Sequence, residues 1–293
     1  MKYLVWLSGM LGEANMSDIQ INNTEITIRP SSVDSFLGCA YQWANVFLGG
    51  ITTIPSGRAA IGTGIHAGAE LVWNESIMAK TKIVNVSAAV DASIETFQEQ
   101  VKDYGIKHDH GEDDNTAEGE IRKGVEAFCE DVVPFVEIPD AVELRYSMDI
   151  SDHPIVSRIS GTVDYIGGGV IADVKTSKRK PTVQNYEIQQ SIYKILAEHN
   201  GVTCNHSHIH SVVLTKAPYG GVFEMQPNVP KAKTVVNNLL DTLEVLAKGV
   251  VDPDILFRGN PKYYLCSPKY CSLYPCKFVK GEAVEAPKEA IKL

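Results

Sequence analysis

The chain has 293 residues, 44% of them hydrophobic and 22% charged, which is the make-up of an ordinary globular protein with room for one large α/β domain or two small ones. Its net charge of −9 supplies no general attraction for nucleic acid, so any such contact has to come from a local basic patch. Six cysteines in this length exclude a disulfide scaffold, and no run reaches the ~18 apolar residues of a membrane span.

Met1 to Gly12 carries one lysine and a short apolar run, as a signal peptide would, but no clean small-x-small cleavage site follows. Met16-Ser-Asp-Ile-Gln reads as a more ordinary start, so residues 1–15 are expected to be an upstream extension, and 1–28 an N-terminal extension outside the fold. Ile26 to Leu48 reads as a helix after Pro30, with Ser31 or Ser32 as N-cap and Val33, Phe36, Leu37 and Tyr41 as its apolar stripe. Cys39 falls within it, in isolation a small buried hydrophobe. Arg58 to Met78 is a second helix, whose small residues at 59, 60, 62, 64, 67, 68 and 69 allow another backbone close. His66 and Glu70 share a face of it as i, i+4 neighbours. Residues 83–104 are amphipathic and helical. Lys107 to Glu120 is polar, acidic and aperiodic; His108, Asp109, His110, Asp113 and Asp114 have metal-ligand chemistry, but nothing apolar fixes their geometry, which favours a solvated loop. Ile121 to Val133 resumes a helix, ended by Pro134.

Ala141 to Ile150 alternates as a strand and contains Glu143; Arg158 to Asp164 forms the next. Ser160-Gly-Thr-Val-Asp-Tyr-Ile-Gly-Gly-Gly-Val-Ile-Ala-Asp-Val-Lys-Thr-Ser then reads as a β-hairpin, two β-rich runs around three glycines. With Gly168-Gly169 as a two-residue turn, Gly167 pairs with Val170, Ile166 with Ile171, and Asp164 lands opposite Asp173. A turn on Gly167-Gly168 shifts the pairing by two and keeps both aspartates on one face; a three-glycine loop places them on opposite faces. Directly opposed residues have Cβ atoms roughly 4.5–5.5 Å apart, where like charges repel. Lys175, two residues past Asp173, shares its face, while Val170, Ala172 and Val174 fill the other. Two carboxylates and an ammonium in otherwise apolar strands are most economically explained by a divalent metal between the aspartates.

Lys178-Arg179-Lys180, just past this face, is either a basic patch for nucleic acid or a solvated loop. Val183 to His199 is strongly helical, with Ile188, Ile192, Ile195 and Leu196 toward a core and Gln189 and Tyr193 as i, i+4 neighbours on an adjacent stripe. Cys204 to Leu214 is a strand carrying His206, His208 and His210 on one face; zinc ligation there lacks a fourth partner. A strand at Gly221–Val229 and a helix at Lys231–Leu246 follow. In the tail, Cys266, Cys271 and Cys276 stand at x4 and x4 spacing among prolines and aromatics. A disulfide leaves an odd thiol, so thiolate ligation of a metal centre is the better reading, and three ligands need a fourth. Cys129 and Cys204 read as buried thiols.

Asp164, then Asp173-Val-Lys175 at the end of a hairpin, resembles the PD-(D/E)XK nuclease superfamily, and the surrounding residues resemble its RecB-like branch. Gly-Thr-x-x-His66-x-x-x-Glu70 looks like that branch's helical histidine motif, Glu143 like its accessory acid in the strand before the hairpin, and Gln189-x-x-x-Tyr193 like its signature helix. The resemblance implies a restriction-endonuclease-like α/β fold, a central mixed β-sheet flanked by helices. It implies catalysis by Asp164, Asp173 and Lys175 with His66, Gln189 and Tyr193, Mg²⁺ or Mn²⁺ held by Asp164, Asp173, the Val174 carbonyl and His66, and DNA contacts from Lys178, Arg179 and Lys180. Some RecB-like nucleases also hold a four-iron, four-sulfur cluster with one cysteine before the nuclease core and three after it; here these are Cys39 with Cys266, Cys271 and Cys276. The usual tail spacing is C-x2-C-x5-C, so zinc or an empty site stays open.

The expected division is a nuclease domain over 29–256 with a helical insertion at about 58–135, then a cysteine clasp and tail over 257–293. No G-x-x-x-x-G-K-[ST] occurs, so the resemblance is to stand-alone nucleases of phage and CRISPR systems, cytoplasmic, acting on DNA with a free end or a single strand alongside recombination or CRISPR partners, and with no membrane. A non-catalytic DNA- or partner-binding module of the same fold, and a metal scaffold with structural carboxylates, are the alternatives.

Overall fold

The computed structural model describes residues 25–52 and 54–281. The expectations for residues 1–15, for most of the 1–28 extension and for the last residues of the tail lie outside them. The chain divides into two compact units, one drawing on Met1–Thr52, Asp149–Ile159 and Lys233–Leu293, the other on Thr53–Met148 and Ser160–Ala232. In chain order the elements begin β1 (Ile26–Ile28), α1 (Pro30–Gly38), α2 (Ala40–Phe47), α3 (Gly57–Ala79), α4 (Val86–Tyr104) and α5 (Asp114–Asp131). β2 (Ala141–Asp149), β3 (Val156–Gly167), β4 (Val170–Ser177), α6 (Glu187–His199), β5 (His206–Val213) and β6 (Tyr219–Met225) follow, then α7 (Val229–Ala247), α8 (Pro253–Leu256) and α9 (Lys277–Lys280). No helix among the described residues is long and apolar enough to cross a membrane.

The second unit is built on a mixed sheet. β4 pairs antiparallel with β3 and parallel with β5, β5 pairs antiparallel with β6, and β2 adds to β3. Parallel neighbours need a crossover connection, which α6 supplies between β4 and β5. The period of two along β4 sorts its side chains. Ala172 and Val174 enter a core with Trp73, Phe97, Ile121 and Phe128 of α3, α4 and α5, while Asp173 meets Gln189 of α6. The small residues of α3 let it approach closely: a Cβ on Gly68 would fall 2.3 Å from Ser93 Oγ of α4, and one on Gly62 would fall 2.9 Å from Thr176 Oγ1 of β4. That second contact seats α3 against the strand carrying Asp173, with His66 one turn further along.

The β3–β4 turn is the two-residue one. Gly167 pairs with Val170, Ile166 with Ile171 and Tyr165 with Ala172. Gly168 and Gly169 both have positive φ, 58° and 75°, as a type I′ turn requires.

In the first unit β1 runs parallel to the start of β3, pairing Ile26 with Val156 and Ile28 with Ile159. Trp43 of α2 is buried and stacks on Phe47 and Phe257, and the Tyr41 N–H donates to the Arg258 carbonyl, tying α2 to the tail.

Four sequence expectations need correction. The 26–48 helix is two helices, and Cys39 lies between them in extended backbone (φ −156°, ψ 96°) rather than inside one. Gly38 there lies against the Tyr263 ring so closely that a Cβ would fall 2.3 Å from it, which propensity along the helix does not reveal. Its N-cap is Arg29, with Pro30 first in the helix and Ser32 bonding back to Arg29, and Leu37 is 53% exposed rather than part of the apolar stripe. α5 starts at Asp114, not Ile121, because the Asp113 carboxylate caps it by accepting from the Thr116 N–H and Arg58 pairs with Glu112 and Glu120. β6 ends at Met225, four residues short of the expected limit.

Gly169 has open space where a side chain would stand, with only Asn205 Nδ2 at 3.9 Å, so its substitution isolates the backbone term. Gly169→Val should lower stability in urea unfolding by about 1–2 kcal/mol, and Gly169→Asn by less than half of that. Equal stability of all three proteins would show that the turn is not of this type.

Candidate active site

The hairpin buries two carboxylates, Asp164 at 8% exposure and Asp173 at 2%. Asp164 Oδ2 accepts the Val174 N–H at 2.7 Å and lies 3.4 Å from His66 Nδ1. Asp173 Oδ2 lies 2.5 Å from Lys175 Nζ, and its Oδ1 accepts from Gln189 Nε2 at 3.1 Å. The same Gln189 nitrogen reaches the Tyr193 hydroxyl at 3.3 Å. His66, Asp164, Asp173, Lys175, Gln189 and Tyr193, from α3, β3, β4 and α6, thus form one connected group. Val174 enters it through its N–H.

Burial, and then the charge of Asp173, push the Asp164 carboxyl up to about 6, against the opposing pull of His66, Lys175 and the Val174 N–H. For Lys175 burial acts downward, but the Asp173 and Asp164 carboxylates outweigh it and hold the ammonium above the usual lysine range. It therefore stays charged at neutral pH. Burial and the Asp173 charge push the Tyr193 hydroxyl up to about 12, so it stays protonated.

Glu143 joins this group with more weight than the sequence gave it. Ligand atoms of His66, Glu143 and Asp164 all lie within 4.8 Å of one another. Burial first, then Asp164, Glu70 and Asp173, push the Glu143 carboxyl up to about 7. Its φ of 50° is an unusual conformation for a glutamate in a strand, and such strain collects at functional sites. A glutamate in the strand before the hairpin was its one sequence signal; the backbone kink leaves none. Glu70 contributes its charge to Glu143 but is not among these three ligands. Mutually repelling carboxyls beside an imidazole are a donor set suited to a divalent cation.

Of the predicted DNA-contacting residues, Lys178 pairs with Glu112 at 3.3 Å and lines a cleft of about 330 Å³ with Lys123, Thr215 and Lys216. Glu120, also at the cleft, is paired to Arg58, which leaves its lining net basic. Arg179 is exposed, and Lys180 Nζ stands 5.2 Å from the Phe223 ring centroid. The acidic segment before α5 is held by protein contacts, with His108 Nε2 2.7 Å from Asp114. His206 meets Glu224 at 3.1 Å, whereas His210 is wholly buried against Trp73 and Tyr165 and is pushed by burial down to about 3. Among the described residues neither set forms a metal-sized group.

The four predicted cysteine ligands all lie in the first unit. Cys39 Sγ accepts the Asn260 N–H at 3.5 Å. Burial and then the neighbouring Cys276 and Cys39 thiols push Cys266 up; Cys271 is pushed up by burial and by Cys39, Cys266 and Cys276 against one backbone N–H. All six cysteines are free thiols, and Cys129 and Cys204 are buried as expected. The four sulfurs are neighbours, yet they form no group with all atoms within 4.8 Å.

A sequence model of the PD-(D/E)XK nuclease superfamily matches residues 27–276. Among solved structures, the chain is similar to a candidate exonuclease from Eubacterium rectale, 11% identical, over 82% of this chain and 86% of that one, with a TM-score of 0.54. At that identity the likeness bears on fold alone. The structure of SSO0001 is 14% identical over 70% of this chain and 93% of that one, with a TM-score of 0.33. No curated protein matches the sequence.

Because the folded value of Glu143, about 7, lies above the ordinary 4.5, its ionised form destabilises the fold. That penalty is absent below about pH 4.5 and complete above about pH 7. Metal-free Glu143→Gln should therefore melt a few degrees above wild type at pH 8, and the gain should vanish by pH 4.5. A melting temperature at pH 8 equal to or below wild type would refute the repulsion.

Proposed function

Because the chain belongs to the PD-(D/E)XK nuclease superfamily, we propose that it is a metal-dependent deoxyribonuclease of the RecB-like kind, an exonuclease that hydrolyses phosphodiester bonds from a DNA end. The observation that carries this reading is the pair of buried hairpin carboxylates, each tied to a different partner set: Asp164 to Val174 and His66, Asp173 to Lys175 and Gln189.

Asp164 and Asp173, with the Val174 carbonyl and His66, would hold Mg²⁺ or Mn²⁺, and Glu143 is placed to add a ligand. Such a cation supplies neutralising charge for the phosphate and acidifies a nucleophilic water. Lys175, fixed as an ammonium by its carboxylate neighbours, does not serve as a base; it stabilises the charge that builds on the phosphate oxygens. Gln189 is a positioning residue whose amide locks the Asp173 carboxylate and the Tyr193 hydroxyl together. The cleft of Lys123, Lys178 and Lys216 offers the DNA backbone a local positive path on an acidic protein. The same reading gives Cys39, Cys266, Cys271 and Cys276 a four-iron, four-sulfur cluster. Four thiols that influence one another and an N–H donated to one sulfur support it.

End-labelled single- and double-stranded DNA with Mn²⁺ tests the activity. Wild type should degrade it and Asp173→Ala should not. Lys175→Ala should lose at least about a hundredfold in rate and Gln189→Ala about 10–100-fold. If folded wild type cuts nothing with any of several divalent metals, the fold serves as a binding module instead.

The cysteine assignment has its own measurement. Protein purified without oxygen should be brown and contain iron and acid-labile sulfide in equal amounts, both lost in Cys39→Ser. Stoichiometric zinc, or a colourless metal-free protein, would overturn the cluster.

A further inference from the structure

Tyr186 lies outside the sequence motifs and outside the connected group of the candidate site, yet it stands against one member of that group. It closes a 3-10 turn, Val183–Tyr186, and is the N-cap of α6, with φ −107° and ψ 3°. It comes three residues before Gln189 and seven before Tyr193, so the helix face that meets Asp173 begins with it. The Lys175 ammonium stands over its ring, with Nζ 5.7 Å from the centroid. All of these residues belong to the second unit.

We propose that Tyr186 is a positioning residue, whose aromatic face holds the Lys175 ammonium in place for the phosphate while Asp173 holds it from another side. The need for a second support follows from the lysine itself. Its four-carbon stem is flexible, and its ammonium is a compact, strongly hydrated charge. The side chain is 25% exposed, so water competes with Asp173 for it. A second carboxylate would grip the ammonium harder, but Asp164, Asp173 and Glu143 already crowd this place with negative charge, and one more would oppose the phosphate. A ring attracts a cation through its quadrupole, adds no net charge and takes no N–H into a hydrogen bond. The ammonium has three N–H donors, and those that Asp173 leaves remain for phosphate oxygens. The role rests on the nuclease reading; the contact between ring and ammonium does not.

The test has one arm without cleavage and one with it. In metal-free protein carrying isotope-labelled lysine, the Lys175 ε-methylene resonance, assigned by its loss in Lys175→Gln, should be moved upfield by the ring. The displacement should persist in Tyr186→Phe and disappear in Tyr186→Leu. In Mn²⁺-dependent cleavage of end-labelled DNA, Tyr186→Leu should lower kcat about 3–30-fold at nearly unchanged KM. Tyr186→Phe, which keeps the face, should restore most of the rate. In a Lys175→Ala background the ring has nothing to hold, so Tyr186→Leu should lower the residual rate by less than about twofold.

A Lys175 resonance that Tyr186→Leu leaves unmoved would overturn the contact. A wild type that cuts, with Tyr186→Leu at full rate or altered in KM alone, would overturn the positioning role and leave the nuclease standing; the change in KM would give the ring to a base of the strand instead. Equal losses in Tyr186→Phe and Tyr186→Leu would assign the effect to the hydroxyl and overturn the role as well. A ring-shifted Lys175 in a wild type that cuts nothing with any of several divalent metals would do the reverse, keeping Tyr186 as the support of the lysine and removing the nuclease.

Discussion

Two carboxylates buried in one hairpin, out of water, repel, and much of the candidate site is arranged around that repulsion. Asp164 takes a backbone N–H from the facing strand and lies beside an imidazole; Asp173 takes an ammonium and an amide. These partners do not cancel the charge. Lys175 brings one positive charge to a place where Asp164, Asp173 and Glu143 converge, and burial first, then the uncompensated charge, holds the Asp164 and Glu143 carboxyls up near 6 and 7. A fold selected for stability alone would have put valine or threonine in these strand positions. Keeping the acids trades stability for a site that is electrostatically incomplete without a cation.

The scaffold that tolerates this is rigid on the opposite face. Ala172 and Val174 alternate with Asp173 and Lys175 along β4, and they are clamped beneath Trp73, Phe97, Ile121 and Phe128. The same two-residue period therefore supplies both the packing that fixes the strand and the carboxylate it presents. The glycines of α3 extend this rigidity, because close approach to β4 and α4 leaves little freedom in where His66 points. Glu143 is held differently, on a backbone bent into positive φ.

What was legible in the sequence follows from how local each cause is. The hairpin register could be read because two glycines and a period of two decide it. The pairing of Gln189 with Tyr193 could be read because four residues is one helical turn. For Glu143 the position in the strand was visible, but neither its positive φ nor its closeness to His66 and Asp164 has a local sequence pattern. The early start of α5 was hidden for a similar reason. Glu112 and Glu120 look like a solvated acidic run until Arg58, more than fifty residues away, is seen between them. Cys39 read as helical because its neighbours favour helix, and what breaks the helix there is the ring of Tyr263, which belongs to the tail.

For an acidic protein, the DNA substrate proposed here poses an electrostatic problem twice. Over the surface, the solution is local: Lys123, Lys178 and Lys216 gather at one cleft, where Arg58 pairs with the neighbouring Glu112 and Glu120. At the proposed catalytic site gathering lysines is no help, since the negative groups are the ones the chemistry needs. A phosphate approaching the buried Asp164 and Asp173 and the more accessible Glu143 without a cation meets like charge in a weakly screened setting. Lys175 is already engaged by Asp173 and offsets only part of it. In the proposed reading a divalent cation would offset the negative charge that Lys175 leaves, before any question of activating water arises. Under the proposed reading, the metal requirement follows from the count and burial of these carboxylates.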